Sequence, residues 1–277
     1  MDKVYYVFVI KRAFHNVCFY HCMLSDRNVK SILISNRSLK YRERIIMNKR
    51  LILYVHGQGG RAEEASVYEP LFPDCAVKGM VYTATSPWEA REEFPAVFDR
   101  MCSSSERITL IANSIGAYFS MEALPQSKLE KAYFISPIVH MEKLIETMMG
   151  WANVTKKELQ KRKRIETDFG QTLSWEYLNY VRTHPQNWNV PTRILYGETD
   201  ALTSLDTITD FARTHHAALT VIPHGEHCFH THEQMEFLFQ WLKETEENFY
   251  HTLWVIADLC LYWAARIYIY IGSRTFI

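Results

Sequence analysis

Ser114 is the residue of this chain best placed for covalent chemistry. It stands in Ala-Asn-Ser-Ile-Gly, directly between the apolar run ITLIA and the helix-period run IGAYFSMEAL. A serine on such a strand-to-helix turn is lifted above the sheet, and the N-terminus of the helix behind it favours negative charge. The sharp turn tolerates only small residues two positions to either side. Gly116 meets that demand, and Ala112 stands where the common G-x-S-x-G pattern has glycine, a departure of one methyl. The same position would also suit an ordinary helix N-cap serine. Hydrolysing an ester at neutral pH requires more: an adjacent base, a group that holds the base in one tautomer, and donors aimed at the developing oxyanion. Ile115, which follows the serine, offers a backbone N–H as one such donor. The loop His-Gly-Gln-Gly-Gly (56–60) has the glycines that let a second stretch of backbone approach a substrate closely. Its glycines could also cradle a phosphate, but the loop lacks the Lys-Ser/Thr of a P-loop and the GxGxxG spacing of a dinucleotide fold. The histidines His224, His227, His230 and His232 raise the question of a metal site. Their spacing lacks a matching carboxylate or cysteine motif, and no metal is expected.

These groups need a scaffold that gathers them at one end of a sheet. From Arg50 onward, short apolar runs alternate with longer helical patterns, the rhythm of βαβ units and a mainly parallel sheet. LILYVHG (51–57), a stretch around 77–83, RITLIAN (107–113), KAYFISP, PTRILYG (191–197) and LTVIPHG (219–225) read as strands. Helices are expected near 61–70 and 88–101, from Ser114 to Pro125, and after each of the last two strands, the second ending near 241–247. Between Ile138 and Val190 the alternation stops. No convincing strand appears there, only helix-like and loop-like sequence carrying Met141, Met148, Met149, Trp151, Trp175 and Trp188. The predicted class is therefore α/β, a doubly wound, mainly parallel sheet with a helical insertion. Residues 1–49 form an extension or an entry hairpin with VYYVFVI and SILISN as strands. Residues 50–137 and 191–247 make the core, 138–190 the insertion, and 248–277 an apolar C-terminal extension.

Over residues 50–245 the chain resembles the α/β-hydrolase superfamily, on four motifs in the family's order: HGQGG, ANSIG, YGETDALT and PHGEHCFH. The resemblance implies that Ser114 is a nucleophile. It also implies that Asp200, three residues past the strand-end glycine of YGETDALT, faces the base, and that His227 is that base. Asp206 and Asp210 fall inside the helical pattern that follows and suit a solvated face. The residue after His-Gly donates the second oxyanion amide in that family, here Gln58, which leaves His56 to shape the loop. The insertion falls where family members carry a helical cap that excludes water and gates access. Within the superfamily the chain resembles capped cytoplasmic carboxylesterases and monoacylglycerol-lipase-like enzymes. The implied activity is a serine hydrolase that cleaves a small apolar or acyl ester through an acyl-enzyme, with Met148, Trp151 and Trp175 facing the substrate and no metal or organic cofactor. A thioesterase or amidase would use the same machinery, and a binding protein that has lost catalysis is the rival from another class.

The 277 residues, 48% hydrophobic, can bury one large domain core. Lys plus Arg and Asp plus Glu both number 31, so no net field draws the chain onto nucleic acid, and a small-molecule ester is the expected partner. Six scattered cysteines without CxxC spacing fit a reducing cytoplasm. The opening apolar run is broken by Lys11 and Arg12 and has no cleavage site, which disfavours secretion. The segment 253–271 is long enough to span a membrane, but Asp258 and Arg266 oppose that, each costing about 2.5 to 3.5 kcal/mol at a span's centre. It is expected to dock on the globule, with membrane contact the less favoured reading. KKELQKRKR (156–164) is expected to be a solvated helix face rather than a lipid- or anion-steering patch.

Overall fold

A computed structural model describes residues 50–246 except 104 and 106, and the backbone of 5–13 and 16–24. Six strands build the central sheet: β3 (Arg50–Val55), β4 (Ala76–Gly79), β5 (Arg107–Asn113), β6 (Leu129–Ile135), β9 (Thr192–Gly197) and β10 (Ala218–Ile222). Their order across the sheet is β10-β9-β6-β5-β3-β4, and every neighbouring pair is parallel. The four inner strands are covered on both faces, which is why they read as continuous apolar runs rather than as alternating ones, while the edge strands β4 and β10 stay partly exposed.

The alternation survives in which face each residue serves. Leu51, Leu53 and Val55 join the larger core with Phe94, Phe98 and Phe119, while Ile52 and Tyr54 join the smaller one with Tyr68, Leu238 and Trp241. Helices α1 (Pro87–Cys102) and α2 (Ile115–Ala123) pack on the first face. A run of 3₁₀ turns at Ala62–Leu71 and helix α7, described over 232–246, cover the second. The doubly wound arrangement follows from that two-sided burial. Helix α1 begins at a capping box, in which the Ser86 hydroxyl accepts from Glu89 N at 3.3 Å and the Glu89 carboxylate accepts from Ser86 N at 3.1 Å, with Pro87 at the first helical position.

The insertion holds helices α3 (Met141–Trp151), α4 (Lys156–Arg162) and α5 (Trp175–Thr183). It also holds an unexpected hairpin, β7 (Arg164–Glu166) against β8 (Thr172–Ser174), whose three-residue strands are too short to show any periodicity. Leu144, Ile145, Leu159, Leu173 and Leu178 bind these pieces to the first core, beside helix α6 (Leu205–Thr214). Most of KKELQKRKR is solvated, with Lys156 paired to Glu146 at 2.5 Å and Arg162 to Glu158 at 3.1 Å.

Toward the chain start, β1 (Tyr5–Ala13) pairs antiparallel with β2 (Asn16–Leu24) as a separate two-stranded sheet. A hairpin was expected there, but with SILISN as its second strand; SILISN lies outside the described residues, as does 253–271. Among the described residues no helix is long and apolar enough to cross a membrane.

The parallel strands start in charge. Arg50 opens β3, Arg107 opens β5 and pairs with Glu130, and Lys131 lies near the start of β6. Glu246 of α7 accepts from Tyr133 Oη at 2.6 Å and pairs with Lys131 Nζ at 2.5 Å and with Arg50 at 3.4 Å. Burial lowers the Lys131 ammonium below its ordinary pKa, partly offset by Glu246. Burial alone would raise the Glu246 carboxyl, but the Lys131 charge, hydrogen bonds from Lys131 and Tyr133, and Arg50 outweigh it and hold the group below its ordinary value.

Candidate active site

The opposite end of the sheet, where the strands finish, gathers the residues singled out from the sequence. Ser114 stands between β5 and α2 at φ 53° and ψ −124°. That left-handed conformation costs a non-glycine residue about 1 to 3 kcal/mol, so the surroundings must impose it. Ser114 N donates to Ile135 O at 3.0 Å, and Ser114 O accepts from Ile138 N and Ala117 N, both at 3.1 Å. Gly116 closes the turn against β3: a Cβ there would lie 2.3 Å from His56 O and 2.6 Å from Val55 O. On the other side Ala112 is fully buried within β5, so its methyl is accommodated.

An ordinary N-cap serine would turn its hydroxyl onto the helix. Ser86, Thr155, Ser174 and Ser204 do so for α1, α4, α5 and α6, and Ser114 makes no side-chain cap bond at all. Its Oγ lies 2.7 Å from His227 Nε2 instead. His227 Nδ1 lies 2.7 Å from Asp200 Oδ2, and Asp200 Oδ1 accepts from Leu202 N at 2.7 Å and Thr203 N at 3.1 Å. A carboxylate only accepts, so Nδ1 carries the proton toward Asp200 and Nε2 is left to accept from the Ser114 hydroxyl. The Asp200 side chain is fully buried and the imidazole is 13% exposed, which shields the pair from water.

Two loops bring Asp200 and His227 together, and they are sewn to each other. Thr199 N and Thr199 Oγ1 both donate to Gly225 O at 2.8 Å, and His224 N donates to Glu198 Oε2 at 2.9 Å. Tyr196 braces the acid loop by donating to Thr203 O at 2.7 Å; burial and the Asp200 charge push its phenol up to about 12. Asp206 and Asp210 lie on α6 as expected, Asp210 exposed and paired with Arg213 at 3.1 Å. His224, His230 and His232 are exposed and face Glu198, Glu226 and Glu236 at 3.7, 3.6 and 3.2 Å.

The HGQGG loop runs directly past Ser114: a Cβ on Gly57 would stand 3.1 Å from Ser114 Cβ. His56 shapes it, stacking on Tyr82 at 4.2 Å with Nδ1 donating to Gly57 O at 2.8 Å, while Tyr82 Oη donates to His56 O at 2.8 Å. Gln58 is the next residue after Gly57. Ile115 opens α2, so its N–H has no acceptor within that helix.

A cavity of about 450 Å³ adjoins Gln58 and is lined besides by Met148, Trp151, Phe169, Gln171 and Leu202. Trp151 and Phe169 stand edge to face at 5.8 Å and remain 49% and 40% exposed, so the cavity has an open apolar wall and no charged side chain. Met148 and Trp151, two of the residues expected to face a substrate, both line this cavity. Trp175 does not line this cavity; it is half-buried against the first core, because its position at the start of α5 directs it inward. Phe169 and Gln171, at the tip of the unexpected hairpin, escaped sequence reading, although the Asp168 and Gly170 between threonines signal a turn. A cleft of about 480 Å³ runs between the start of α3 and the end of α6; neither cavity is lined by Ser114 or His227, and only the smaller of these two reaches the HGQGG loop, through Gln58.

No protein-family model matches the sequence, and no curated protein matches it. Solved structures do. Est1E from Butyrivibrio proteoclasticus is similar at 18% identity over 73% of this chain and 88% of that one, with a TM-score of 0.59. Alpha/beta hydrolase domain-containing protein 10 from mouse is similar at 13% identity over 72% of this chain and 90% of that one, with a TM-score of 0.57. At such identities the likeness speaks for the fold, and the fold is that of the α/β-hydrolases.

Proposed function

We propose that this chain, an α/β-hydrolase in fold, is a serine hydrolase that cleaves a carboxylic ester on a small apolar or acyl substrate through an acyl-enzyme. The observation that carries the reading is the continuous chain of short contacts from Ser114 Oγ through His227 to Asp200, with 2.7 Å at each step, on a serine that declines to cap its helix. The name of the mouse structural neighbour, a hydrolase, supports the class.

In this mechanism Ser114 Oγ attacks the ester carbonyl carbon while His227 Nε2 takes the hydroxyl proton. Asp200, holding Nδ1–H, steadies the imidazolium that results. The carbonyl oxygen becomes an oxyanion and receives the backbone N–H groups of Ile115 and Gln58. The carbon–oxygen bond to the leaving alcohol then breaks, and His227 returns its proton to that oxygen. Water repeats the sequence on the acyl-Ser114 ester, with His227 as base, and releases the acid. Every proton is moved by His227. Residues 138–190 serve as the cap, with Met148 and Trp151 in contact with the apolar part of the substrate and Trp175 packed against the first core.

A fluorophosphonate probe with a short-chain ester assay tests this directly. Wild type should label at one site and Ser114→Ala should neither label nor turn over. Labelling that persists in Ser114→Ala would overturn the assignment of the nucleophile.

A further inference from the structure

The turn that carries Gln58 is soft, and a stiff hairpin tip touches it. Gln58 and Gly59 are the middle residues of a turn closed by Gly60 N donating to Gly57 O at 3.1 Å. Gly59 lies at φ +74°, in the left-handed region, with nothing within 4 Å of where a Cβ would stand, and Gln58 is exposed. Packing therefore does little to hold the outer side of this turn. What reaches it is Gln171: Gln58 Nε2 donates to Gln171 Oε1 at 3.2 Å.

Gln171 is itself well fixed. Its N donates to Thr167 Oγ1 at 3.2 Å, and its O accepts from Thr167 N at 3.0 Å and from Thr167 Oγ1 at 2.6 Å, closing the turn between β7 and β8. All of these use the Gln171 backbone. Its side-chain amide takes no part in building the hairpin and is free to serve the neighbouring turn.

We infer that Gln171 is a positioning residue for the reaction: through the Gln58 side chain it orients the Gln58 backbone N–H toward the oxyanion. The inference rests on the serine hydrolase reading above. It makes the hairpin tip part of the oxyanion machinery as well as a wall of the cavity. The oxyanion exists only after attack, so the contact should act on the transition state and leave substrate affinity alone.

The test is a double-mutant cycle of Gln58→Ala and Gln171→Ala, both of which keep the backbone amide. Losing one neutral hydrogen bond should lower kcat on a neutral short-chain ester about fivefold, and the fluorophosphonate labelling rate by a similar factor. KM and the melting temperature should hold, and the double variant should be no slower than either single one. An unchanged kcat, a loss confined to KM, multiplicative losses in the double variant, or a melting temperature that falls with the rate would each overturn the inference while wild type still labels. A wild type that neither labels nor hydrolyses any ester would overturn the hydrolase reading itself, and this inference with it.

Discussion

The two ends of the parallel sheet use polar groups in opposite ways. Where the strands begin, Arg50, Lys131, Tyr133 and Glu246 close on one another in a buried cluster. Where they end, Ser114 is held in a left-handed backbone with its hydroxyl, His227 and Asp200 in line, and a cavity open to solvent adjoins Gln58 on the loop that passes Ser114. In parallel α/β sheets ligands bind beyond the carboxyl ends of the strands, because the loops there can vary while the starts are bound into the core. The contrast teaches that polarity alone does not identify a site. The cluster at the strand starts holds the Lys131 ammonium and the Glu246 carboxyl below their ordinary values, yet its side chains are buried; the strand ends have the strained serine.

That contrast can be broken by mutation. Asp200→Asn should act on rate alone: the carboxamide would present N–H to Nδ1, force the imidazole proton onto Nε2, and lower kcat by about 10³- to 10⁴-fold. The melting temperature should move by no more than about 3 °C, since an Asn oxygen can still accept from Leu202 N and Thr203 N. Glu246→Gln should do the reverse. It removes the carboxylate that pairs with the buried Arg50 and Lys131 and should cost about 3 kcal/mol in urea unfolding, with kcat unchanged where the protein is folded. Its pH dependence has a definite sign. A carboxyl held below its ordinary value stabilises the fold above that value, 4.5, and the contribution is lost as pH falls through the folded-state pKa. Wild type should therefore lose stability on acidification below pH 4.5 more steeply than Glu246→Gln. Ala112→Gly should be the mildest, costing about 1 kcal/mol for glycine inside a strand and leaving esterase rate within about twofold. A large rate effect of Glu246→Gln, or a large stability effect of Asp200→Asn, would erase the distinction between the two ends.

Much of the sheet was legible because buried parallel strands announce themselves as apolar runs bounded by glycine or proline. RITLIAN coincides with β5, and PTRILYG contains all of β9. The loops after those strands were legible too, since Ser114, Asp200 and His227 each sit at a short fixed distance from a strand end. The insertion resisted for a physical reason. Its hairpin strands have three residues each, so nothing in TDFGQT reveals that Phe169 and Gln171 would meet Trp151 and Gln58. Trp151 and Trp175 look alike in sequence, and only the packing of α3 and α5 sends one outward and the other onto the core. Nor could the sequence show Lys131, in the apolar run KAYFISP, finding its partner in Glu246 at the far end of the described chain.

The place where the insertion enters and leaves the sheet limits how this protein can be remodelled. It departs after β6 and rejoins at the start of β9, the parallel neighbour of β6, so it is the crossover between adjacent strands as well as an ornament on the fold. Its first residue hangs from the Ser114 carbonyl, Ile138 N to Ser114 O, and directly after its last residue Pro191 is tied to β6 by Ala132 N to Pro191 O at 2.9 Å. Any shorter replacement must still carry the chain back the length of a six-residue strand, about 20 Å, and must still offer an amide to Ser114. A loop graft that ignored either requirement would lose the bend at the serine along with the pocket. The segment can be refurnished between its two anchors, but it cannot be trimmed away.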